Sequence, residues 1–429
     1  MTAVIGILNK AAVAIAADSA VTVTGPAGPK IFNRANKIFT ISKHHPVGMM
    51  IYNQGEFMGT GWEIIIKLFR SRLGDKSFPT LEEYKLDFIR FLHEKNFFCD
   101  VNQQKRILQL LISEFLRNIL QSVINENMHL IQALTPNINQ VLFDKVVENI
   151  NNFIAKPQDP ANCCDEFQDL EISEVEICTE DEIKRIITQV FAQVGIVITP
   201  TPDLIITVKE YAFIYLKSKD FDNFFSGLVF VGYGEDEIFP RLSALKVSLA
   251  LNNRLRYFHD TENAATIAHS MESCIRPFAQ IDVIDTILGG IDPGLYQLYL
   301  KQFTEFIVKN NNKIADLVNP NDQTLAHRIR ALDANPLTLQ LDVAITSLRQ
   351  NRYISPMMGA VGTLSKEDLA EMAESLIYLT YLKRRFTFSE ESVGGPVDVA
   401  LITKGDGFIW MKRKHYFDPS LNHHFLKNY

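Results

Sequence analysis

The sequence predicts an α+β fold, and three observations lead to it. Strand-like segments cluster at the start, near the middle and at the end of the 429-residue chain. Between them, two long stretches carry apolar residues at helical spacing. Turns bearing Gly or Pro separate the strands within each cluster. The chain therefore divides into three parts of one core, 1–74, 223–284 and 363–429, interrupted by two mainly helical insertions at 75–222 and 285–362.

The elements follow in order. Residues 2–8 and 11–17 are apolar and β-branched, with Asn9-Lys10 between them, which predicts a hairpin with a two-residue turn. Residues 24–36 hold Gly25, Pro26, Gly28 and Pro29 and read as a loop. Residues 37–42 and 47–52 read as strands about the turn His44-His45-Pro46, and from Glu56 the pattern turns helical through Trp62, Ile65, Ile66 and Phe69. Helical stripes follow at Leu81, Tyr84, Phe88 and Leu92, and again at Leu108, Leu111, Ile112, Phe115 and Leu116. Between Lys156 and Lys184 stand ten acidic residues and no Lys or Arg, which reads as a solvated acidic loop. Strand character returns at 227–232, 242–250 and 254–258, then a helical stretch covers about 280–352. Ser365 with Asp368 three residues on is a capping signature for a helix whose core stripe is Leu369, Met372, Ala373, Leu376 and Leu379. The chain finishes with a strand pair about Gly405-Asp406-Gly407 and an exposed basic tail.

Composition excludes several classes. At 47% hydrophobic and 22% charged, with 21 Gly and 17 Pro, the chain is neither disordered nor collagen-like. A net charge of −7 argues against nucleic acid as a main partner. Five cysteines without a CxxC pair argue against a disulfide framework or a zinc site and fit a reducing cytoplasm. No apolar run reaches the ~18 residues of a membrane span, so no membrane partner is expected. There is no HExxH; His259, Asp260, Glu262 and His269 form at most a loose set of metal-type ligands, and no metal or cofactor is expected. No GxxxxGK[ST] occurs, so no ATPase is expected within the chain.

The chemistry concentrates at the start. Removal of Met1 by the usual processing leaves Thr2 with a free α-amine, whose reference pKa of about 7.7–8 lies near working pH. A hydroxyl nucleophile needs a base, and an N-terminal Thr carries its own. With Asn9-Lys10 as the turn, Thr2 faces Ala17 and Asp18 lands beside it at the open end of the hairpin. Lys37 opens the next strand, where an ammonium beside a carboxylate tunes a neighbouring hydroxyl. Taken singly each has a plain reading: a Thr at position 2 is common, Asp18-Ser19 suits a turn, and Lys37 suits a solvated strand.

Together, Thr2-Ala3-Val4-Ile5-Gly6-Ile7, Val13-Ala14-Ile15-Ala16-Ala17-Asp18-Ser19 and Lys37-Ile38-Phe39-Thr40-Ile41-Ser42 resemble the proteasome β-subunit superfamily of N-terminal nucleophile (Ntn) hydrolases, in its bacterial form without a long propeptide. The resemblance resumes at Phe230-Val231-Gly232-Tyr233-Gly234, at the helix from Ser365, and at 394–404. It implies a four-layer αββα sandwich and a threonine peptidase with Thr2 as nucleophile and Asp18 and Lys37 as supporting charges. It also implies a homo-oligomeric ring. Where the family has its oxyanion-hole glycine this chain has Tyr52-Asn53, with Gly55 just beyond; a backbone N–H there still serves. Ser392 falls one residue early for the family's C-terminal serine. The helper serine has no counterpart, and 259–262 and 277–280 occupy its neighbourhood. The expectation is a cytoplasmic hydrolase of peptides or proteins, needing a separate ATP-dependent unfoldase for folded substrates. The rival readings are a non-catalytic structural subunit and a small-molecule amidase on the same fold.

Overall fold

A computed structural model describes residues 3–25, 28–132, 137–318, 322–387, 394–415, 417, 418, 421 and 422. Thr2 and Ser392 lie outside the described residues. The chain is 53% helix and 21% strand, and its sheets are antiparallel, as an α+β fold requires.

The chain opens with strands β1 (Val4–Asn9), β2 (Val13–Ala17), β3 (Val21–Gly25), β4 (Gly28–Phe32), β5 (Ile38–Thr40), β6 (Val47–Asn53), β7 (Glu56–Phe57) and β8 (Thr60–Gly61), then helix α1 (Trp62–Leu73). The first helical region holds α2 (Leu81–Glu94), α3 (Val101–Glu126), α4 (Met128–Gln132), α5 (Ile138–Ile154), α6 (Glu180–Ala192) and α7 (Pro202–Lys217). Strands β9 (Ser226–Gly232), β10 (Arg241–Leu251), β11 (Arg254–Thr266) and β12 (Ser273–Phe278) follow. The second helical region holds α8 (Asp282–Gly289), α9 (Pro293–Asp316), α10 (Gln323–Arg330), α11 (Asn335–Arg349), a π-helical turn (Gln350–Ile354) and α12 (Ser355–Thr363). Helix α13 (Lys366–Phe386) leads into β13 (Asp398–Thr403) and β14 (Gly407–Lys412).

Two five-stranded sheets form, ordered β12-β1-β2-β13-β14 and β11-β10-β9-β6-β5. Strands β1, β2, β9 and β13 are buried at every residue, which is why they read as unbroken apolar runs rather than alternating ones. Val4, Leu8, Val13 and Ile15 of the first sheet share one apolar cluster with Met50, Val229 and Val231 of the second. The opposite face of the first sheet, with Ile5, Ile7, Ala14 and Leu401, packs on Leu369, Ala373 and Ile377 of α13. The opposite face of the second sheet, with Met49, Leu228 and Phe230, packs on Trp62, Phe69 and Phe88 of α1 and α2.

Several details depart from the sequence reading. The first hairpin pairs Leu8 with Val13 and Val4 with Ala17, not Leu8 with Ala11. The cause is Asn9: its Oδ1 accepts from the N–H of Ala11 (2.9 Å) and Ala12 (3.1 Å), making a longer turn than Asn9-Lys10 alone. The shift is two residues, so every side chain keeps its face. The 24–36 loop contains a hairpin, β3 with β4. The acidic stretch is not a free loop, because Cys164, Phe167, Leu170, Val175 and Cys178 are buried between its carboxylates. Those carboxylates serve as acceptors: Glu166 takes the Leu255 N–H at 2.6 Å, and Glu174 pairs with Arg254 at 2.5 Å. Strand β11 runs on to Thr266, and β12 escaped prediction because of Pro277, which an edge strand tolerates. On α13 the buried face includes Ala370, Ile377 and Thr380, while Leu379 is 44% exposed.

Helix α3 alone among the described residues is long and apolar enough, by composition, to cross a membrane. Its apolar face, Leu108, Leu111, Ile112, Phe115 and Leu116, is spent on the packing of the first helical region, where α3 meets α5 and α6.

Candidate active site

Asp18 follows the last residue of β2, opposite the start of β1. The two strand ends are locked by the Asp18 N–H donating to the Ala3 carbonyl at 3.1 Å and the Ala3 N–H donating to Asp18 Oδ1 at 2.8 Å. Asp18 therefore sits opposite Ala3, one covalent step from Thr2, rather than one residue past a Thr2–Ala17 pair. Its other oxygen accepts the N–H groups of Ala20 (3.0 Å) and Gly394 (3.1 Å). Lys37, just before β5, completes the shell: its Nζ donates to Asp18 Oδ1 and to the Ala20 carbonyl, both at 2.6 Å. Asp18 is 1% exposed and Lys37 3%.

A buried ion pair survives only when its remaining hydrogen-bonding capacity is met. Asp18 meets that condition with three backbone N–H groups and an ammonium. Lys37 has three N–H bonds and spends two on these acceptors. Burial pushes the Lys37 pKa below its ordinary 10.5; Asp18 works against that shift and Lys414 adds to it.

Lys414 belongs to a second pair that the sequence did not reveal. Its backbone N–H donates to Asp398 Oδ1 at 2.8 Å and its Nζ contacts Oδ2. Asp398 stands beside Ala17 in the β2–β13 register, next to Asp18. The basic tail is thus not simply exposed: the Lys414 side chain is only 10% exposed. Its signal was the Asp398 that opens a strand two residues after Pro396 of the Gly-Gly-Pro run.

That run is tied to the same centre. Ser19 donates its N–H to the Gly394 carbonyl at 3.0 Å and its hydroxyl to the Pro396 carbonyl at 2.5 Å. Gly395 has φ +76°, and a Cβ there would meet the Asn33 carbonyl oxygen at 2.7 Å, so only glycine fits. Ser392 precedes Gly394 by two residues.

Tyr52 ends up as a wall. It is 7% exposed, its ring 5.4 Å from Phe278 and 5.9 Å from Phe225, and Gly227 is side-chain-free because Tyr52 fills that space. Burial raises its phenol, which stays neutral. Asn53, at φ 66°, turns the chain and donates its amide to the carbonyls of Asn223 (3.0 Å) and Phe225 (2.8 Å). Beyond it Gly55 faces open space, and its N–H has no acceptor among the described residues. Lys37, Tyr52, Asn53 and Gly55 line one groove of about 1380 Å³, whose far side is α3 through Gln103, Arg106 and Leu110.

No group of three His, Cys, Asp or Glu among the described residues is placed to hold a metal ion. Asp260 instead lies 3.6 Å from Lys246 and accepts from Asn263 at 2.9 Å. The sequence matches no protein-family model and no curated protein.

Proposed function

We propose that this chain is a threonine-type amide hydrolase, a peptidase, built as a four-layer αββα Ntn sandwich. The observation that carries the reading is the buried Asp18–Lys37 pair, Asp18 bonded to the amide of Ala3 and Lys37 lining a groove. Thr2 is the residue attached to that amide.

In this reading, cleavage of the Met1–Thr2 bond frees the Thr2 amine. The Thr2 hydroxyl attacks the substrate carbonyl and its proton passes to the amine, whose reference pKa of about 7.7–8 suits the task. The third N–H of Lys37, beyond those given to Asp18 and Ala20, stabilises the forming alkoxide, and Asp18 fixes the ammonium. The Gly55 N–H is the donor for the oxyanion. The protonated amine gives its proton to the leaving nitrogen; water then attacks the acyl ester and regenerates the hydroxyl. Ser392 is the candidate helper hydroxyl, and Tyr52 shapes the groove without titrating. The reading extends to a cytoplasmic homo-oligomer that acts on folded proteins only with a separate ATP-dependent unfoldase.

The test is intact mass before and after a threonine-directed epoxyketone or β-lactone, on wild type and Thr2→Ala. Loss of Met1 and one adduct on wild type alone is expected. Retained Met1, or no adduct once it is lost, sinks the enzyme reading in favour of a non-catalytic subunit. Lys37→Ala should lower turnover at least about a hundredfold, a barrier change of ~3 kcal/mol.

A further inference from the structure

A second groove, of about 1180 Å³, opens on the other side of Tyr52, Asn53 and Asn223, which line both. One side of it is the edge strand β12; the other is α8, the start of α9 and the π-helical turn. Strand β12 ends at Phe278, opposite Val4, on the side of β1 away from β2. The two grooves therefore flank the beginning of β1, with Lys37 in one and the end of β12 in the other. Each exceeds the space a small-molecule ligand needs, so an extended chain suits them better.

Their charges differ. The groove at Lys37 also presents Arg106 and three carboxylates, Glu56, Glu63 and Asp100. The second presents Lys246, Arg276 and Arg349 against a single carboxylate, Asp285. Lys246 has Asp260 at 3.6 Å, and Arg349 donates to the Gly289 carbonyl at 3.1 Å and lies over the Tyr296 ring. Arg276 has nothing comparable. It makes no ion pair among the described residues, and its Nε is buried without an acceptor. Strand alternation puts it on the face of Cys274 and Phe278, both part of the cluster between the sheets. A guanidinium at the rim of an apolar core without a counter-charge is costly, and its fork of donors matches a carboxylate. The backbone just beyond, Ala279 and Gln280, is held at φ 52° and 49°, strain of the kind that collects at binding sites.

We infer that the second groove binds a substrate carboxylate at Arg276, so that the hydrolase proposed above takes polypeptides with an acidic side chain, or a free C-terminus, lying across both grooves. This rests on the hydrolase reading for its biological sense, but the binding is measurable without turnover. The full-length Thr2→Ala protein would be titrated with three labelled decapeptides. One is Glu-containing and C-terminally amidated; one is its Gln isostere, also amidated; the third is the Gln isostere with a free carboxylate. A carboxylate peptide should bind about tenfold tighter than the amidated isostere, with the preference shrinking at high salt. Which of the two gains identifies the source of the carboxylate. Arg276→Gln should abolish the preference and Arg276→Lys keep part of it. The inference is overturned if the three peptides bind alike, if none binds, or if the preference survives Arg276→Gln; the first two outcomes need no variant. Preference with no epoxyketone adduct on wild type removes the hydrolase reading and leaves the carboxylate site. An adduct with no preference removes the carboxylate site alone.

Discussion

The two helical regions interrupt the same pair of sheets and are built in opposite ways. In the first, α3 buries eight residues and α2 another eight, and their apolar faces merge with the outer face of the second sheet. In the second, α9 spans 24 residues and buries two, Tyr296 and Ala315, while α11 buries none. Leu298, Tyr299, Phe306, Leu339 and Val343 remain at least half exposed there. The first region is an extension of the core that also walls the groove at Lys37. The second touches the sheets mainly through α12, with α8 packed on α13, and contributes a rim. An amphipathic stripe in a sequence is the same signal in both cases; what differs is whether another apolar face comes to meet it.

The sharpest way to break this comparison is to truncate one large ring in each region. Phe115 is 2% exposed and packs 4.5 Å from the Tyr211 ring, so Phe115→Ala should cost about 3–5 kcal/mol in urea unfolding. Phe306 is 64% exposed, and Phe306→Ala should fall within about 0.5 kcal/mol. A cost above ~2 kcal/mol at Phe306, growing with protein concentration, would mean that a second copy covers the arm in solution.

A smaller effect separates the two regions by the arginines that hold them, Arg256 of β11 at the end of the first and Arg349 of α11 within the second. Arg256 is wholly buried and gathers the carbonyls of Tyr215, Leu216, Ser218 and Asp220 at the end of α7, with its guanidinium 4.2 Å from the Phe221 ring centre. Several donors in one plane do this, so Arg256→Lys should still lose about 2–3 kcal/mol. Arg349 in the second region binds one carbonyl, and Arg349→Lys should lose about 1 kcal/mol or less. Equal losses in the two variants would dissolve the distinction.

Much of the core was legible. Strands β1, β2, β5 and β6, the Ser365–Asp368 cap and the closeness of Asp18 to Lys37 follow from local pattern and short sequence separation, whereas the β3–β4 hairpin and the short β7–β8 pair do not. Most of what was not legible depends on residues far apart in the chain. Asp398 and Lys414 reach Asp18 and Lys37 only through the β2–β13 pairing, and β12 reaches β1 across some 270 residues. The acidic stretch misled because its carboxylates dominate a count, whereas its buried residues, from Cys164 to Ile183 at gaps of three and five, follow neither a strand nor a helix period. Left-handed Ala279 and Gln280 carry no sequence mark at all, since neither is glycine, asparagine or aspartate.

The smallest expected difference is in pH response, and here the ion pairs at the root of each region diverge. In the first, Glu182 of α6 is held by Lys105 of α3 and by the Thr179 N–H, which lowers its pKa from 4.5 to about 2. A depressed carboxylate contributes fully above its unfolded value, so this support is complete above 4.5 and fades as pH falls toward about 2. In the second, Lys383 of α13 bonds Asp282 of α8 and Asp292, the N-cap of α9, and the Asp282 bond leads in raising it above 10.5. A raised lysine contributes fully below 10.5 and loses its support as pH climbs through the raised value. Asp292, itself held below 3.8 chiefly by the Leu295 N–H, gives the second region an acid limb as well, so acid alone does not separate the two. Alkali does. Lys383→Met should flatten the alkaline limb of the urea-midpoint profile and remove only the Lys383 share of the Asp292 acid limb, leaving the share of the Leu295 N–H, while Glu182→Gln should flatten only the acid limb. Each effect should stay below about 1 kcal/mol, because both pairs are partly solvated. If the Lys383→Met profile runs parallel to wild type through the alkaline range, the second region is not rooted through this pair, and the hydrophobic contacts of α8 and α12 alone must hold it.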